Sequence, residues 1–154
     1  MKGITQNRSR PLHYGKTLMT SEPGWQFVRF QTLPQMQEFL TRLLGEIHVI
    51  GFTDKEVFGI RLALEEALVN AIKHGNRLDP TKTVHVRYQV THQQFTIEIR
   101  DEGPGFDPEG VPDPLNPENL ERPGGRGVFL MRHYMSWVQY NEIGNCVTLC
   151  KVRK

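Results

Sequence analysis

Only two cysteines, Cys146 and Cys150, occur among these 154 residues. Four apart on one strand, they would share a face yet stand about 13 Å from each other, too far for a disulfide. With no histidine at ligand spacing beside them they make no metal site. Both read as reduced, small apolar side chains. Long apolar runs are missing too. Nothing matches the length of a signal-peptide core or a membrane span, so the cytoplasm is the expected compartment and no membrane partner is expected. Charge of one sign is also lacking: 19 Lys and Arg face 17 Asp and Glu, a net +2, which argues against a direct nucleic-acid partner. The imbalance is local, because residues 1–20 hold Lys2, Arg8, Arg10 and Lys16 and no acid. Residues 1–22 therefore read as a basic flexible arm. Residues 23–154 read as a single domain, long enough to bury a core of its own.

Glycine and proline are present but clustered. From Gly103 to Gly127 the chain carries six of its ten prolines and six of its fourteen glycines, with no sustained period. So long an irregular stretch inside a small domain reads as a lid over about 103–127. Outside it, periodicity is clear. A strand around Trp25 to Phe30 leads past Pro34 into a helix marked by Met36, Phe39, Leu40, Leu43, Leu44 and Ile47, which Gly51 separates from the next. Val57, Ile60, Leu64, Leu68, Ala71 and Ile72 then form the buried stripe of a second helix that stops at Gly75. Val84, Val86, Tyr88 and Val90 alternate, and His92 and Gln93 join them to a strand over Phe95 to Ile99 as a hairpin. A last helix precedes a second hairpin, with Val138 and Tyr140 on one arm, Val147 and Leu149 on the other, and its turn near Gly144. The expected fold is α+β, a two-layer sandwich with helices on one face of a mixed, mainly antiparallel sheet.

Chemistry concentrates at the end of the second helix and on the loops after it. Glu66 and Asn70 are one turn apart, away from the apolar stripe, and Gly59 and Ala63 leave room beside them for something to dock. An amide oxygen suits Mg²⁺, whose other ligands are then water and phosphate oxygens. A carboxylate one turn away can take a proton from a hydroxyl or water. Glu65, about 100° around the helix from Glu66, reads as a surface acid. Lys73 and His74 read as partners of the helix-terminal carbonyls and dipole. Asp101 sits where the Phe95 to Ile99 strand gives way to glycine and could accept from an exocyclic amine. Gly103 and Gly105 would let the backbone approach a flat ring. At the end of the lid, Gly124-Gly125-Arg126-Gly127 runs into Val128 to Met135, a glycine turn opening a helix, which is a recipe for holding phosphate. No Lys-Ser or Lys-Thr follows these glycines, so this is no Walker motif.

In this order, Glu-x-x-x-Asn on a helix, Asp-x-Gly-x-Gly after a strand and Gly-x-Gly opening a later helix resemble the N, G1 and G2 boxes of the GHKL or Bergerat-fold ATPases. Glu66 to Gly75 and Gly125 to Met131 look most like the small bacterial anti-sigma factor serine/threonine kinases. That resemblance implies ATP and Mg²⁺ as cofactors, Glu66 as general base and Asn70 as the metal ligand. It implies that Asp101 binds the adenine amino group and that Gly103 and Gly105 shape the adenine pocket. Gly125 and Gly127 would meet the phosphates, and Arg122 or Arg126 would reach the terminal phosphate. One position departs from the pattern: the last strand of the superfamily usually begins Gly-Thr, and this chain has Gly144-Asn145. By the same resemblance the partners would be a sigma factor and an anti-sigma-factor antagonist of STAS type, and a homodimer is among the implications. The alternative is a nucleotide-gated binding module that switches partners without phosphotransfer.

Overall fold

A computed structural model describes residues 12–14, 17–19, 24–107 and 125–154. Segment 1–22, expected as an arm, contains two short strands, β1 (Leu12–Tyr14) and β2 (Thr17–Met19), paired antiparallel. The domain follows with β3 (Gln26–Phe30), α1 (Leu33–Ile50) and α2 (Asp54–Val69). Next come β4 (Val84–Val90), β5 (Gln94–Arg100), α3 (Gly125–Tyr134), β6 (Trp137–Tyr140) and β7 (Cys146–Val152). The main sheet has the order β3-β4-β5-β7-β6, and all four of its ladders are antiparallel. This is the expected α+β sandwich.

Alternation builds the inner face of the sheet. Val84, Val86 and Tyr88 point inward from β4 while His85 and Arg87 are exposed, and on β5 Phe95, Ile97 and Ile99 are buried. Register sets Ile97 opposite both Tyr88 and Leu149, so one apolar row crosses three strands. Against it α1 lays Met36, Phe39, Leu40, Leu43 and Ile47, and α2 lays Ile60, Leu64 and Leu68. Each such side chain contributes about 1.5–3 kcal/mol on burial. On the other face Arg87 pairs with Glu98, directly opposite it, at 3.0 Å and lies over the Trp25 ring at 4.9 Å.

Both long helices start on a threonine. The Thr32 hydroxyl accepts from the Gln35 N–H at 3.4 Å, and the Gln35 side chain returns the bond to the Thr32 N–H at 3.3 Å. Thr53 and Glu56 repeat this box at 3.1 and 3.0 Å. Cys146 and Cys150 are free and buried, as the spacing required. Among the described residues no helix is long and apolar enough to cross a membrane.

Candidate nucleotide site

The expected Glu66 helix does not end as an ordinary helix. After Val69 it widens into a π-helical turn, Asn70–Gly75, in which the Asn76 N–H reaches back to the Ala71 carbonyl at 2.8 Å. Such widenings rotate the side chains that follow relative to those before. Here the turn keeps Asn70, Ala71, His74 and Gly75 on one cavity. The chain leaves it through Arg77 and Leu78, both at positive φ (54° and 58°), with the Leu78 N–H bonded to the Ile72 carbonyl at 2.8 Å. Non-glycine residues hold this conformation only where their surroundings impose it.

The cavity measures about 190 Å³. That is below the roughly 300–1,000 Å³ of pockets enclosing a whole drug-sized ligand, so it suits one ring better than an entire nucleotide. Ala67, Ile99, Phe106, Tyr140 and Val147 supply apolar surface, with the Phe106 and Tyr140 rings edge to face at 5.1 Å. Its polar side chains are Asn70, His74, Asp101 and Asn145.

Asp101 is held from several sides. Its carboxylate accepts from the Gly103 N–H at 2.7 Å, and its own N–H donates to the Asn145 carbonyl at 2.9 Å. Burial raises its pKa, against the Gly103 hydrogen bond and the charge of Lys82. A partly dehydrated carboxylate of this kind favours a donor that restores what water no longer supplies. Next to it the Glu102 N–H donates to the buried Asn76 side chain at 2.7 Å, so the loop after β5 is fastened to the end of α2.

Glycines permit the close approach, Gly75 and Gly105 among them. A Cβ on Gly75 would fall inside the Asp101 carboxylate, and Gly75 has an ordinary φ, so space alone excludes the side chain. Gly105 has φ +83°, and a Cβ there would collide with the Ile143 carbonyl of the β6–β7 turn. Burial pushes the Tyr140 hydroxyl in this wall up to about 12, with Arg132 opposing and Asp101 adding.

The third motif arrives from α3. Gly125 and Gly127 lie inside its first turn and not, as expected, in a turn before it. A Cβ on Gly127 would come within 3.0 Å of both Asn70 Nδ2 and Glu66 Oε2, so the glycine faces these two side chains directly. Gly59, read with Ala63 as room for something to dock, is instead part of the seat of α3, since a Cβ there would meet the Tyr134 ring at 2.8 Å. Lys151 fixes the other end of α3 by donating to the Tyr134 carbonyl at 3.0 Å. Glu65 forms a surface pair with Arg61 at 3.3 Å. His74, expected only at the helix-terminal carbonyls, borders the cavity. Arg122 and the middle of the expected lid lie outside the described residues, as does the Arg126 side chain.

Asp101 and Gly105 therefore share a cavity with Asn70, while Glu66 joins Asn70 at Gly127. Gly103 serves through its backbone. Asn76 and Asn141 were missed, although Asn141 carries a readable turn signal in the Asn at its first position and Gly144 at its fourth. The donor set fits magnesium in a limited way. Among the described residues no cluster of three His, Cys, Asp or Glu could hold a metal ion. Asn70 would supply one oxygen, leaving phosphates and water to complete the shell.

Serine/threonine-protein kinase BtrW of Bordetella bronchiseptica is 31% identical over 87 residues, 55% of this chain and 61% of BtrW. Serine-protein kinase RsbW of Bacillus licheniformis is 29% identical over 113 residues, 70% of each chain. That of Bacillus subtilis is 29% identical over 117 residues, 71% of this chain and 72% of the relative. The alignment thus spans less than two thirds of BtrW and slightly more than two thirds of the two RsbW chains. Residues 29–151 match the histidine kinase-like ATPase domain, and the chain belongs to that family.

Proposed function

We propose that this chain transfers the γ-phosphate of ATP to a serine or threonine of a partner protein, and that it acts as an anti-sigma factor whose substrate is an anti-sigma-factor antagonist. The observation that carries this reading is the meeting of Glu66, Asn70 and Gly127 beside a cavity walled by Asp101 and Gly105. Asp101 accepts from the adenine amine, and the glycine-lined wall admits the ring. Glu66 takes the proton of the attacking hydroxyl as it adds to the phosphoryl group. Asn70 would hold the metal through its amide oxygen, and the N-terminal turn of α3 would offer backbone N–H groups to the phosphates. Magnesium, when bound, neutralises charge on the phosphate oxygens. The names of the relatives, serine and serine/threonine kinases, support the phosphoryl transfer.

The test is calorimetric titration with ATP and ADP, with and without Mg²⁺, followed by transfer of labelled γ-phosphate to candidate antagonists. Magnesium-dependent ATP binding lost in Asn70→Ala is expected. Glu66→Ala should still bind ATP while transfer falls roughly 10²- to 10⁴-fold. ATP binding with no transfer to any antagonist would leave the nucleotide-gated module as the better reading, and no binding at all would end both.

A further inference from the structure

The structure assigns to Asn76 the part of a positioning residue that ties the strained loop after α2 to Asp101, so that the loop and the cavity close together. This rests on the nucleotide reading of the cavity above. The loop, residues 77–82, opens on Arg77 and Leu78, both at positive φ and both exposed, Leu78 by 57%. Glycine or asparagine would hold this conformation at less cost, and exposed side chains are not compensated by packing. What holds the pair lies at the inner end of the loop. Asn76 is only 2% exposed and is bonded to three segments. Its N–H donates to the Ala71 carbonyl at 2.8 Å, inside the π turn, and its own carbonyl accepts from the Asp79 N–H at 3.0 Å, across the strained pair. Its Oδ1 accepts from the Glu102 N–H at 2.7 Å, a role the amide nitrogen could not fill. Glu102 closes the far end too, because its carboxylate accepts from the Thr83 N–H. Both ends of the loop therefore hang on the residue that follows Asp101.

The seam between the two segments interlocks residue by residue. Gly75 lies against the Asp101 carboxylate and its carbonyl against Gly103, while Asn76 takes the Glu102 N–H between them. From the other side the Asp101 N–H is held by the Asn145 carbonyl at 2.9 Å, in a turn that Asn141 Oδ1 fixes and that faces Gly103. Asn76 supplies the matching side-chain bond from the end of α2. A base amine held by Asp101 needs the carboxylate in this place, and the place exists with the Asn76 bond made. Once that bond opens, Arg77 and Leu78 are released to relax and Asp101 loses its support on the α2 side. Filling the cavity and closing the loop thus favour each other, and the coupling runs in both directions.

The probes are ATP and purine riboside triphosphate, which lacks the exocyclic amine, titrated against the wild-type protein, Asn76→Ala, Leu78→Gly and the double variant. Wild type should prefer ATP by about tenfold, the scale of one hydrogen bond. ATP, and not the analogue, should slow amide exchange at Leu78 and Asp79 by a similar factor, because it holds the loop shut. Asn76→Ala should bring the preference close to one and remove the effect on exchange. Leu78→Gly relieves strain while keeping the bond, so it should melt higher than wild type and retain both effects. The double variant gains the same relief and should melt above Asn76→Ala, yet still lack the preference. A general loss of structure would lower both affinities and leave their ratio alone. An unchanged ratio in folded Asn76→Ala or in the double variant would overturn this assignment while leaving ATP binding intact, and so would loop exchange that ignores ATP in the wild type. Failure of the wild type to bind ATP would overturn the nucleotide reading and this inference with it.

Discussion

Helices α1 and α2 begin with the same chemistry and finish with opposite ones. Each opens on a threonine capping box. At its end α1 stops on Gly51, at φ +116°, with the N–H of that glycine on the His48 carbonyl at 3.0 Å. Beyond it lie the end of the Arg153 side chain and the His48–Asp54 pair, whose side chains are 60% and 96% exposed. Such a pair is worth under about 1 kcal/mol. The end of α2 is built the other way, loosening into a π turn that runs against Asp101 and Glu102. The comparison teaches that α1 is made to cover the sheet, large side chain by large side chain. α2 gives up bulk at Gly59 and Ala67 for the sake of contact, with α3 on one side and the cavity on the other.

Adding one methyl group at each helix end should break this comparison most sharply. Gly75→Ala puts a Cβ where the Asp101 carboxylate now lies. Overpacking of about 1–3 kcal/mol at that point should displace Asp101 and weaken ATP binding about 10- to 100-fold. Gly51→Ala meets only the end of the Arg153 side chain, at 2.9 Å, but forces alanine to φ +116°. It should lower stability by about 1 kcal/mol and leave ATP affinity unchanged. Titration and denaturant melts on both variants separate the outcomes, and equal ATP affinities would show that the two ends do the same job.

Acidity offers a second, smaller contrast, because the charge at the end of α2 is partly dry. Burial raises the Asp101 pKa, and the Gly103 N–H and Lys82 only partly offset it. A raised folded-state pKa means that the protonated form is favoured in the folded protein. The group therefore subtracts stability as pH rises from its unfolded value through its folded one. Adenine needs the ionised form. ATP affinity should then fall as pH drops through the raised pKa, at less acidic pH than an ordinary aspartate would give. Asp101→Asn should bind about tenfold more weakly, lose that pH step, and melt higher than the unliganded wild type at neutral pH. A lower melting temperature for the variant would mean that the charge is better solvated than its burial implies.

Much of this contrast was legible beforehand, and what was not follows a pattern. Apolar spacing placed α1 and most of α2, and alternation placed β4 and β5, because one buried face is enough to mark each element. The π turn left no mark, since Asn70 to Gly75 holds no residue that demands a wider helix. Gly59 announced a close approach without saying of what, and tertiary packing supplied Tyr134 in place of a ligand. Glycine's poor helix propensity argued for a turn at Gly125 to Gly127. Proximity of Gly127 to Glu66 and Asn70 overrides that preference, because only a residue without a side chain fits there. The Asn141 turn was readable, but not that it would lie across from Gly103, which is fixed by β5 and β7 being neighbours in the sheet.

The smallest expected effect is where the two helices should still agree. Thr32→Ala and Thr53→Ala each remove a hydroxyl that accepts one otherwise unpaired N–H at a helix start, and each should lower stability by about 1 kcal/mol. The loss at Thr53 should be the larger. Glu56, which answers Thr53, also accepts from the Lys154 N–H at 3.2 Å, so a loosened box there frees the end of the chain beyond β7 as well as α2. Glu56 carries a lowered pKa in spite of the opposing effect of burial, through its bonds to Thr53 and Lys154 and the charge of Lys151. Its stabilising contribution is therefore present above its unfolded pKa and lost as pH falls through the folded one. The difference between the two cap variants should accordingly shrink in acid. ATP affinity should be unchanged in both, because the cap lies at the far end of α2 from Asn70. Denaturant melts at neutral and acidic pH would check the first point and titration the second. A Thr53→Ala variant that lost ATP binding would mean that the start of α2 is coupled to its end, and that the helix moves as one body when the site fills.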